Sequence, residues 1–260
     1  MRPATCDLRP ATCMADPQPT ELNISDVLAL LSKGDLEVQG MLPWSSNYTL
    51  LATVRCDGLQ GLAVYKPRRG ERPLWDFPRG TLCQREVAAY LLCAALGWTL
   101  VPPTVLRDGP YGPGSVQLFI DADQESHLFT MQKQGGYGST IERLAAFDVI
   151  ANNADRKSGH CLKGHDGRLW AIDHGICFHA EPKLRTVLWD YAGRPLRPDI
   201  LNDLRALRER WKHGDEIAEV LATLLSADEL RAMRRRLDRL VETGKHPDPG
   251  PGRNVPWPPV

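Results

Sequence analysis

The sequence predicts an α+β protein of two lobes, in which a small β-rich lobe precedes a helical lobe. Five segments in the first part of the chain show the alternating or β-branched pattern of strands. One long helical pattern, residues 82–96, lies among them. From Ser139 onward the pattern is mainly helical, and this segregation of strands from helices is typical of α+β folds.

The N-terminal lobe is expected over residues 21–120. Residues 25–33 have the pattern of a short amphipathic helix that ends at Gly34, and the long helix ends in the same way at Gly97. A turn at Asp57-Gly58 is expected to join two of the strands. The predicted strands of this lobe cover residues 36–41, 48–55, 62–66, 105–107 and 116–120.

The helical lobe is expected over residues 121–245. Residues 139–142 have the spacing of a capping box, which predicts the start of a helix that runs to about Asn152. Further helices follow Pro198, and the last one begins with a second capping box at Ser226. The two short strands expected in this lobe cover residues 161–163 and 169–172.

Both ends of the chain are expected to be disordered. Residues 1–20 contain two copies of Arg-Pro-Ala-Thr-Cys, which are too few to build a repeat fold. The start of the protein is either Met1 or Met14. Residues 246–260 are rich in proline, which favours an extended tail.

Composition narrows the classes of function. The 32 Lys and Arg residues balance the 32 Asp and Glu residues, so no nucleic-acid partner is expected. Seven cysteines without the close spacing of a disulfide framework indicate reduced thiols and a cytoplasmic protein. No run of residues approaches the ~20 apolar positions of a transmembrane helix.

Lys66 and Glu86 form a candidate pair. Lys66 ends a predicted strand whose alternate positions are apolar, so its side chain is expected to point into an interior cleft. Glu86 lies in the long helix between apolar residues. A buried carboxylate needs a partner of opposite charge, and Lys66 is the candidate. The alternative is a solvated Lys66 and a surface pair of Arg85 with Glu86 that contributes little to stability.

Two aspartates are placed as a metal–phosphate centre requires. Asp155 follows a helix end, in a loop that leads into the short hairpin. Asp173 follows the second strand of that hairpin and precedes Gly175, which is expected to permit a sharp turn. Phosphoryl transfer needs one carboxylate to orient the attacking hydroxyl and another to hold Mg²⁺ on the phosphates. The two aspartates therefore indicate a phosphotransferase.

Six segments of the chain occur in an order shared with a group of kinases. They are Tyr65-Lys66-Pro67, residues 85–91, residues 114–120, Asp148-Val149-Ile150, Asn153-Ala154-Asp155-Arg156 and residues 171–178. With these segments the chain resembles the type II phosphatidylinositol 4-kinases and a bacterial family related to the phosphatidylinositol 3-/4-kinases. The HipA-type kinases share the same loop more distantly. The resemblance covers about residues 34–211.

This resemblance implies a protein-kinase-like fold that binds ATP and Mg²⁺ between its lobes and transfers the γ-phosphate to a hydroxyl group. It implies that Lys66 contacts the ATP phosphates and that Glu86 aligns Lys66. It also implies that Asp155 is the catalytic aspartate and that Asp173 holds Mg²⁺. The residues that lead into the adenine-binding hinge would be Gln117, Leu118, Phe119 and Ile120. The acceptor stays open between a protein side chain, an inositide and a small metabolite.

The chain departs from the family pattern at three points. Ser45, Ser46 and Asn47 stand where kinases carry a Gly-rich turn, and their hydroxyl and backbone N–H groups are expected to hold phosphate instead. His160 stands where kinases carry a metal-binding Asn, so it is a candidate ligand that would favour Mn²⁺ over Mg²⁺ and lower activity below about pH 6.5. The alternative is that His160 only hydrogen-bonds Asp155 or the loop backbone. The sequence contains no Cys-rich or polybasic lipid-binding stretch, so lipid specificity is not implied.

Three alternative functions stay open at the level of the sequence. A kinase-like scaffold can transfer AMP, or bind nucleotide without turnover. A zinc-binding protein is the second alternative, because residues 160–179 are rich in the ligands that zinc prefers. These ligands are His160, Cys161, His165, His174, Cys177 and His179. The third alternative is an interaction module whose Pro-rich tail binds a partner.

Overall fold

A computed structural model describes residues 23–42 and 48–260 of the chain. The expected leader, residues 1–20, and the candidate phosphate ligands Ser45, Ser46 and Asn47 lie outside the described residues. The described part forms a five-stranded sheet, a two-stranded hairpin and seven α-helices. The α+β class with a β-rich first part and a helical second part is confirmed. None of the described helices combines the length and the apolar character that a bilayer crossing requires.

The five-stranded sheet is antiparallel throughout, with strand order β1-β2-β3-β5-β4. Its strands are β1 (Asp35–Met41), β2 (Leu50–Cys56), β3 (Leu59–Pro67), β4 (Thr104–Gly109) and β5 (Gly112–Leu118). At the turn between β2 and β3, Asp57 and Gly58 have φ values of 49° and 79°, as a type I′ hairpin turn requires. All five predicted strands are present, with bounds shifted by a few residues.

Helix α1 (Ile24–Lys33) packs on the sheet and ends at Gly34, as the sequence predicts. The reason is close packing and not a left-handed backbone, since φ at Gly34 is −64°. A Cβ atom there would lie 2.6 Å from Leu30 O and 2.6 Å from Val54 Cγ1. The small core under this helix comprises Leu30, Leu31, Leu50, Val54, Ala63, Tyr65 and Val116.

Helix α2 (Leu82–Ala95) precedes β4 in the chain, yet several of its buried residues belong to the core of the helical lobe. Ala88, Ala89, Leu92 and Cys93 pack in one cluster with residues of the later helices. Those helices are α3 (Leu128–Gln134), α4 (Gly138–Ala151), α5 (Pro198–His213), α6 (Glu216–Leu224) and α7 (Ala227–Thr243). Helix α2 also packs against β4 and β5, so it lies between the sheet and the helical lobe.

The two predicted capping boxes have different outcomes. Ser226 Oγ accepts from Glu229 N–H at 3.3 Å while Glu229 Oε2 accepts from Ser226 N–H at 2.9 Å, so the box that starts α7 is confirmed. The box predicted at Ser139 is wrong, because α4 already begins at Gly138 and its cap residue makes no side-chain hydrogen bond. Glu142 instead accepts from the backbone N–H of Arg197 at 3.1 Å.

The hairpin of the helical lobe consists of β6 (Cys161–Lys163) and β7 (Leu169–Ala171). Residues 246–260, for which the sequence predicts a disordered tail, lie against this lobe in the structure. His246 and Pro256 are buried, and Gly193 N–H donates to the His246 carbonyl oxygen at 3.1 Å. Proline removes backbone donors but leaves carbonyl acceptors, so a Pro-rich segment can still be held by donors from the lobe.

Candidate active site

A cleft of about 820 Å³ lies between the sheet and the helical lobe. This volume falls in the range of about 300–1,000 Å³ that is usual for small-molecule sites. The wall of the cleft is formed by β3, the first turns of α2, the segment after β5 and the loops around the hairpin. The predicted site residues in this wall are Lys66, Glu86, Gln117, Leu118, Phe119, Ile120, Asp155, His160 and Asp173.

Lys66 points from the end of β3 into the cleft. The last part of this strand buries every second side chain, which leaves Lys66 on the opposite face. Its Nζ donates to Glu86 Oε1 at 2.6 Å and to Asp173 Oδ1 at 2.5 Å. The Lys66 side chain is 18% exposed and that of Glu86 only 6%. The structure thus brings three of the predicted residues into one contact.

The charges of this contact shift the pKa values of Lys66 and Asp173 in opposite directions. Burial alone would lower the pKa of Lys66, but Asp173 and Glu86 outweigh burial and raise it. The Lys66 ammonium holds the pKa of Asp173 well below its usual range, against the effect of burial. Both groups are therefore charged at neutral pH.

The turn expected at Gly175 is present at Gly175 and Ile176, but the left-handed backbone lies two residues earlier. Asp173 has a left-handed backbone with φ of 58°, a conformation that aspartate adopts more readily than most other residues. Gly175 has no left-handed φ, and a Cβ atom there would make only ordinary contacts of 3.5 Å with Glu86 Oε1 and Leu82 Cβ. The prediction of a turn at Gly175 is therefore confirmed, although the turn does not use the conformational freedom of glycine.

Neighbouring residues of α2 connect the cleft to two different parts of the helical lobe. Glu86 Oε2 accepts from the backbone N–H of His174 at 3.0 Å. Arg85 is 1% exposed, donates to Cys177 O at 2.7 Å and forms an ion pair with Glu229 Oε1 at 2.5 Å. Adjacent residues of a helix face different directions, so the alternative of a surface pair between Arg85 and Glu86 is wrong. The sequence gives no signal for the partner of Arg85, because Glu229 is distant in the chain.

A buried network holds the loop that carries Asp155. Arg156 Nε and Nη2 donate to the two carboxylate oxygens of Asp148 at 2.9 and 3.1 Å, and both side chains are fully buried. Asn153 Nδ2 donates to Asp148 Oδ1 at 3.0 Å, while Asn153 Oδ1 accepts from Asp155 N–H at 2.9 Å. Arg156 Nη2 also donates to His174 Nε2 at 2.6 Å. The loop is thereby fixed to the segment that follows β7.

Asp155 lies in the cleft beside a lysine that the sequence analysis missed. Lys157 Nζ is 3.4 Å from Asp155 Oδ2. Burial raises the pKa of Asp155; Lys157 opposes this shift and Asp173 adds to it. A raised pKa makes a carboxylate a better proton acceptor. The sequence offers one indication that Lys157 lies near Asp155, namely its position two residues later in the same loop.

His160 lies beside Asp173, with Nε2 3.5 Å from Asp173 Oδ2. Its Nδ1 accepts from Lys157 N–H at 3.5 Å. With Nδ1 as acceptor, the proton of the neutral ring is on Nε2 and faces the carboxylate, which favours the alternative that His160 hydrogen-bonds the loop rather than a metal. Burial lowers the pKa of His160 to about 4. The sequence predicts that protonation of His160 lowers activity below about pH 6.5. With the lowered pKa, this protonation is expected only at a more acidic pH.

Two backbone amides of residues 117–120, which are predicted to lead into an adenine-binding hinge, already donate to groups within the protein. Leu118 N–H donates to Pro103 O at 2.8 Å and Phe119 N–H donates to Leu62 O at 3.0 Å. The buried side chain of Gln117 donates to Thr104 Oγ1 at 2.8 Å. Any adenine contact along residues 117–120 must therefore involve other backbone groups than these two amides.

The donor set of the cleft suits Mg²⁺ better than zinc. Mg²⁺ is usually held by one or two carboxylates together with substrate phosphates, and Asp155 and Asp173 supply carboxylates whose charges interact. Across residues 23–42 and 48–260, no group of three or more His, Cys, Asp or Glu side chains could hold a metal ion. Burial raises the pKa of Cys161 to about 12 and holds that of Cys177 well above its usual value, so neither is a ready thiolate ligand. The zinc alternative is therefore not supported.

Relatives of known sequence support a kinase-like interpretation of this cleft. The chain is 40% identical to Protein Rv2133c of Mycobacterium tuberculosis (strain ATCC 25618 / H37Rv), over 90% of this chain and 95% of that protein. It is 32% identical to Phosphatidylinositol 4-kinase gamma 4 of Oryza sativa subsp. japonica, over 55% of this chain. The chain spans 32% of the rice protein's length. No protein-family model matches the chain.

The fold is similar to that of a solved kinase. The structure of the Helicobacter pylori proinflammatory kinase CtkA matches with a TM-score of 0.51 at 11% identity, covering 83% of this chain and 94% of that one. At this identity the similarity shows a kinase-like fold and no more. Together with the distant homology to the rice protein, it confirms the coarse resemblance to kinases. Membership of the specific bacterial family stays a prediction.

Proposed function

Since the chain belongs to the same family as Protein Rv2133c, whose name states no activity, we propose a function from the cleft itself. The chain would be an ATP-dependent phosphotransferase that moves the γ-phosphate of ATP to a hydroxyl group. One observation carries the proposal: Lys66 Nζ contacts Glu86 at 2.6 Å and Asp173 at 2.5 Å in a cleft that also contains Asp155. An ammonium fixed between two carboxylates beside a third is an arrangement suited to phosphate chemistry.

The three charged groups would have different tasks. Lys66, aligned by Glu86, contacts the phosphates of ATP as a point charge. Asp155 accepts the proton of the attacking hydroxyl, and its raised pKa suits it to this step. The hydroxyl oxygen forms a bond to the γ-phosphorus, the bond from that phosphorus to the bridging oxygen breaks, and ADP leaves. Lys157, 3.4 Å from Asp155, is placed to compensate negative charge on the transferred group.

Asp173 is the residue that would hold Mg²⁺. One of its oxygens, Oδ1, contacts Lys66 while Oδ2 lies 3.5 Å from His160. Mg²⁺ held there would neutralise negative charge on the phosphates. His160 would orient the Asp173 carboxylate through Nε2–H.

The test is incubation of the purified protein with Mg²⁺ and ATP labelled at the γ-phosphate, first alone and then with a cell lysate. We expect label on an acceptor, and we expect Asp155→Ala to reduce transfer by at least 100-fold, within the range that general base catalysis contributes. The matched control is Asp228→Ala, because Asp228 is a 76% exposed aspartate of α7 that does not line the cleft. Equal loss in both variants, or no transfer by the wild type to any acceptor, would contradict the proposal.

A parallel incubation with ATP labelled at the α-phosphate separates phosphoryl transfer from transfer of AMP. Phosphoryl transfer leaves this label on ADP, whereas AMP transfer places it on the acceptor. Label from the α-position on the acceptor would replace the proposed reaction by AMP transfer.

A further inference from the structure

The Pro-rich segment after α7 returns to the catalytic loop. Lys245 pairs with Pro195 in an isolated bridge, and His246 N–H donates to Arg194 O at 3.0 Å. Further along, the carbonyl oxygen of Asn254 accepts from Thr186 N–H at 3.0 Å and from Trp189 Nε1–H at 2.8 Å. The segment is therefore hydrogen-bonded to the helical lobe at two separate places before it reaches the cleft.

The last described part of this segment, residues 254–260, is here called the strap. The turn that leads into the strap, residues 250–254, is closed by Asn254 Nδ2, which donates to Gly250 O at 2.6 Å and Gly252 O at 3.1 Å. Pro256 is buried. The carbonyl oxygen of Pro259 then accepts from Ser158 N–H at 2.8 Å. The strap thus has a fixed path on the protein and ends on the loop that carries Asp155.

The strap forms part of the cleft wall beside the proposed base. Pro258 and Val260 line the cleft together with Asp155, Lys157 and Gly159. The side chains that the strap presents there are apolar and contain no donor. An acceptor hydroxyl that approaches Asp155 from this side therefore meets apolar side chains opposite the charged loop.

Two features make this wall selective. The Ser158 N–H, which an extended polypeptide could otherwise use for backbone pairing, is already donated to the strap. The whole cleft measures about 820 Å³, a volume typical of sites for small ligands, and the acceptor must share this volume with ATP.

We propose that the strap forms the acceptor-side wall of the cleft and restricts the acceptor to a small hydroxyl compound, excluding extended polypeptide. This inference rests on the proposed phosphotransfer and names the class of its acceptor.

The test loosens the strap in the full chain by Pro258→Gly with Pro259→Gly, since glycine restores backbone freedom that proline removes. The matched control is Pro110→Gly with Pro113→Gly, two exposed prolines at the turn between β4 and β5 that do not line the cleft. Transfer of γ-label is measured to a mixture of glycerol, glucose and myo-inositol, and separately to dephosphorylated casein. We expect the wild type and the control to label only the small alcohols. The loosened variant should raise casein labelling at least tenfold.

A second loosening variant, Asn254→Ala, removes the amide that closes the turn and should act in the same direction. Hydrogen exchange of the Ser158 amide gives a readout that does not depend on activity, because this N–H should be protected in the wild type and not in the loosened proteins. Casein labelling by the wild type, an unchanged ratio of casein to alcohol labelling after loosening, or an unprotected Ser158 amide would overturn the strap proposal alone. Absence of transfer to any acceptor would overturn the proposed function, and the acceptor class with it, even if Ser158 is protected.

Discussion

A double-mutant cycle on Lys66 and Glu86 tests whether these residues act as a pair. Lys66→Met leaves Glu86, whose side chain is 6% exposed, with one hydrogen bond from His174 N–H. Removal of one partner from a buried ion pair costs about 3–5 kcal/mol. The lower end, about 3 kcal/mol, is expected because Lys66 is 18% exposed and Asp173, its other partner, is 47% exposed. Glu86→Gln should cost less, since Lys66 keeps Asp173.

The free energies of unfolding are measured by urea denaturation for the wild type, both single variants and the double variant. Direct contact predicts a coupling energy of about 1–3 kcal/mol between the two substitutions. The matched control is the pair of Arg55 with Glu37, which has the same 2.6 Å separation but side chains that are 50% and 62% exposed. Its cycle, Arg55→Met with Glu37→Gln, should give about 0.2–1 kcal/mol. A coupling at Lys66–Glu86 no larger than that of the exposed pair would refute the reasoning.

The remaining predictions concern metal, pH and the loop histidine. Asp173→Asn should remove the rise in melting temperature that Mg²⁺ with ATP gives the wild type, whereas Asp155→Ala should keep most of it; an equal rise in both would contradict the metal role. Burial lowers the pKa of His160 to about 4 and also lowers those of His174 and His246, so the unfolded chain takes up protons first. The free energy of unfolding, measured in urea, should therefore be at its maximum above about pH 6.5 and should fall below that pH, by up to about 1.4 kcal/mol per pH unit for each histidine. An unchanged free energy of unfolding from pH 7.5 to 5.5 would contradict this prediction. His160→Asn should leave the ratio of Mn²⁺- to Mg²⁺-supported activity unchanged, and a shift toward Mg²⁺ would restore the ligand role.

Local patterns in the sequence were sufficient for much of the fold. The alternation of apolar residues predicts the five strands, and it also predicts that Lys66 faces away from the sheet core. The capping box at Ser226 is confirmed because both of its partners lie within one turn. The assignment of roles to Lys66, Glu86, Asp155 and Asp173 stays a prediction, although the structure places these residues around one cleft.

Features that depend on contacts between distant residues were not predictable in this way. The spacing at Ser139 is that of a capping box, but Glu142 is used by Arg197, which comes from another part of the chain. The composition of residues 246–260 favours disorder, yet donors such as Ser158 N–H hold the segment in place. The left-handed backbone of Asp173 precedes the predicted turn, and no local pattern in the sequence indicates it.

The ion pair of Arg85 with Glu229 makes helix α2 a link between the two parts of the protein. Arg85 ties α2 to α7 at 2.5 Å inside the helical lobe, and α2 also packs against β4 and β5 of the sheet. The next residue, Glu86, contacts Lys66 of β3 at 2.6 Å. A shift of α2 relative to either part would therefore change the distance between Glu86 and Lys66, so the packing of α2 and the charges of the cleft are coupled through two adjacent residues.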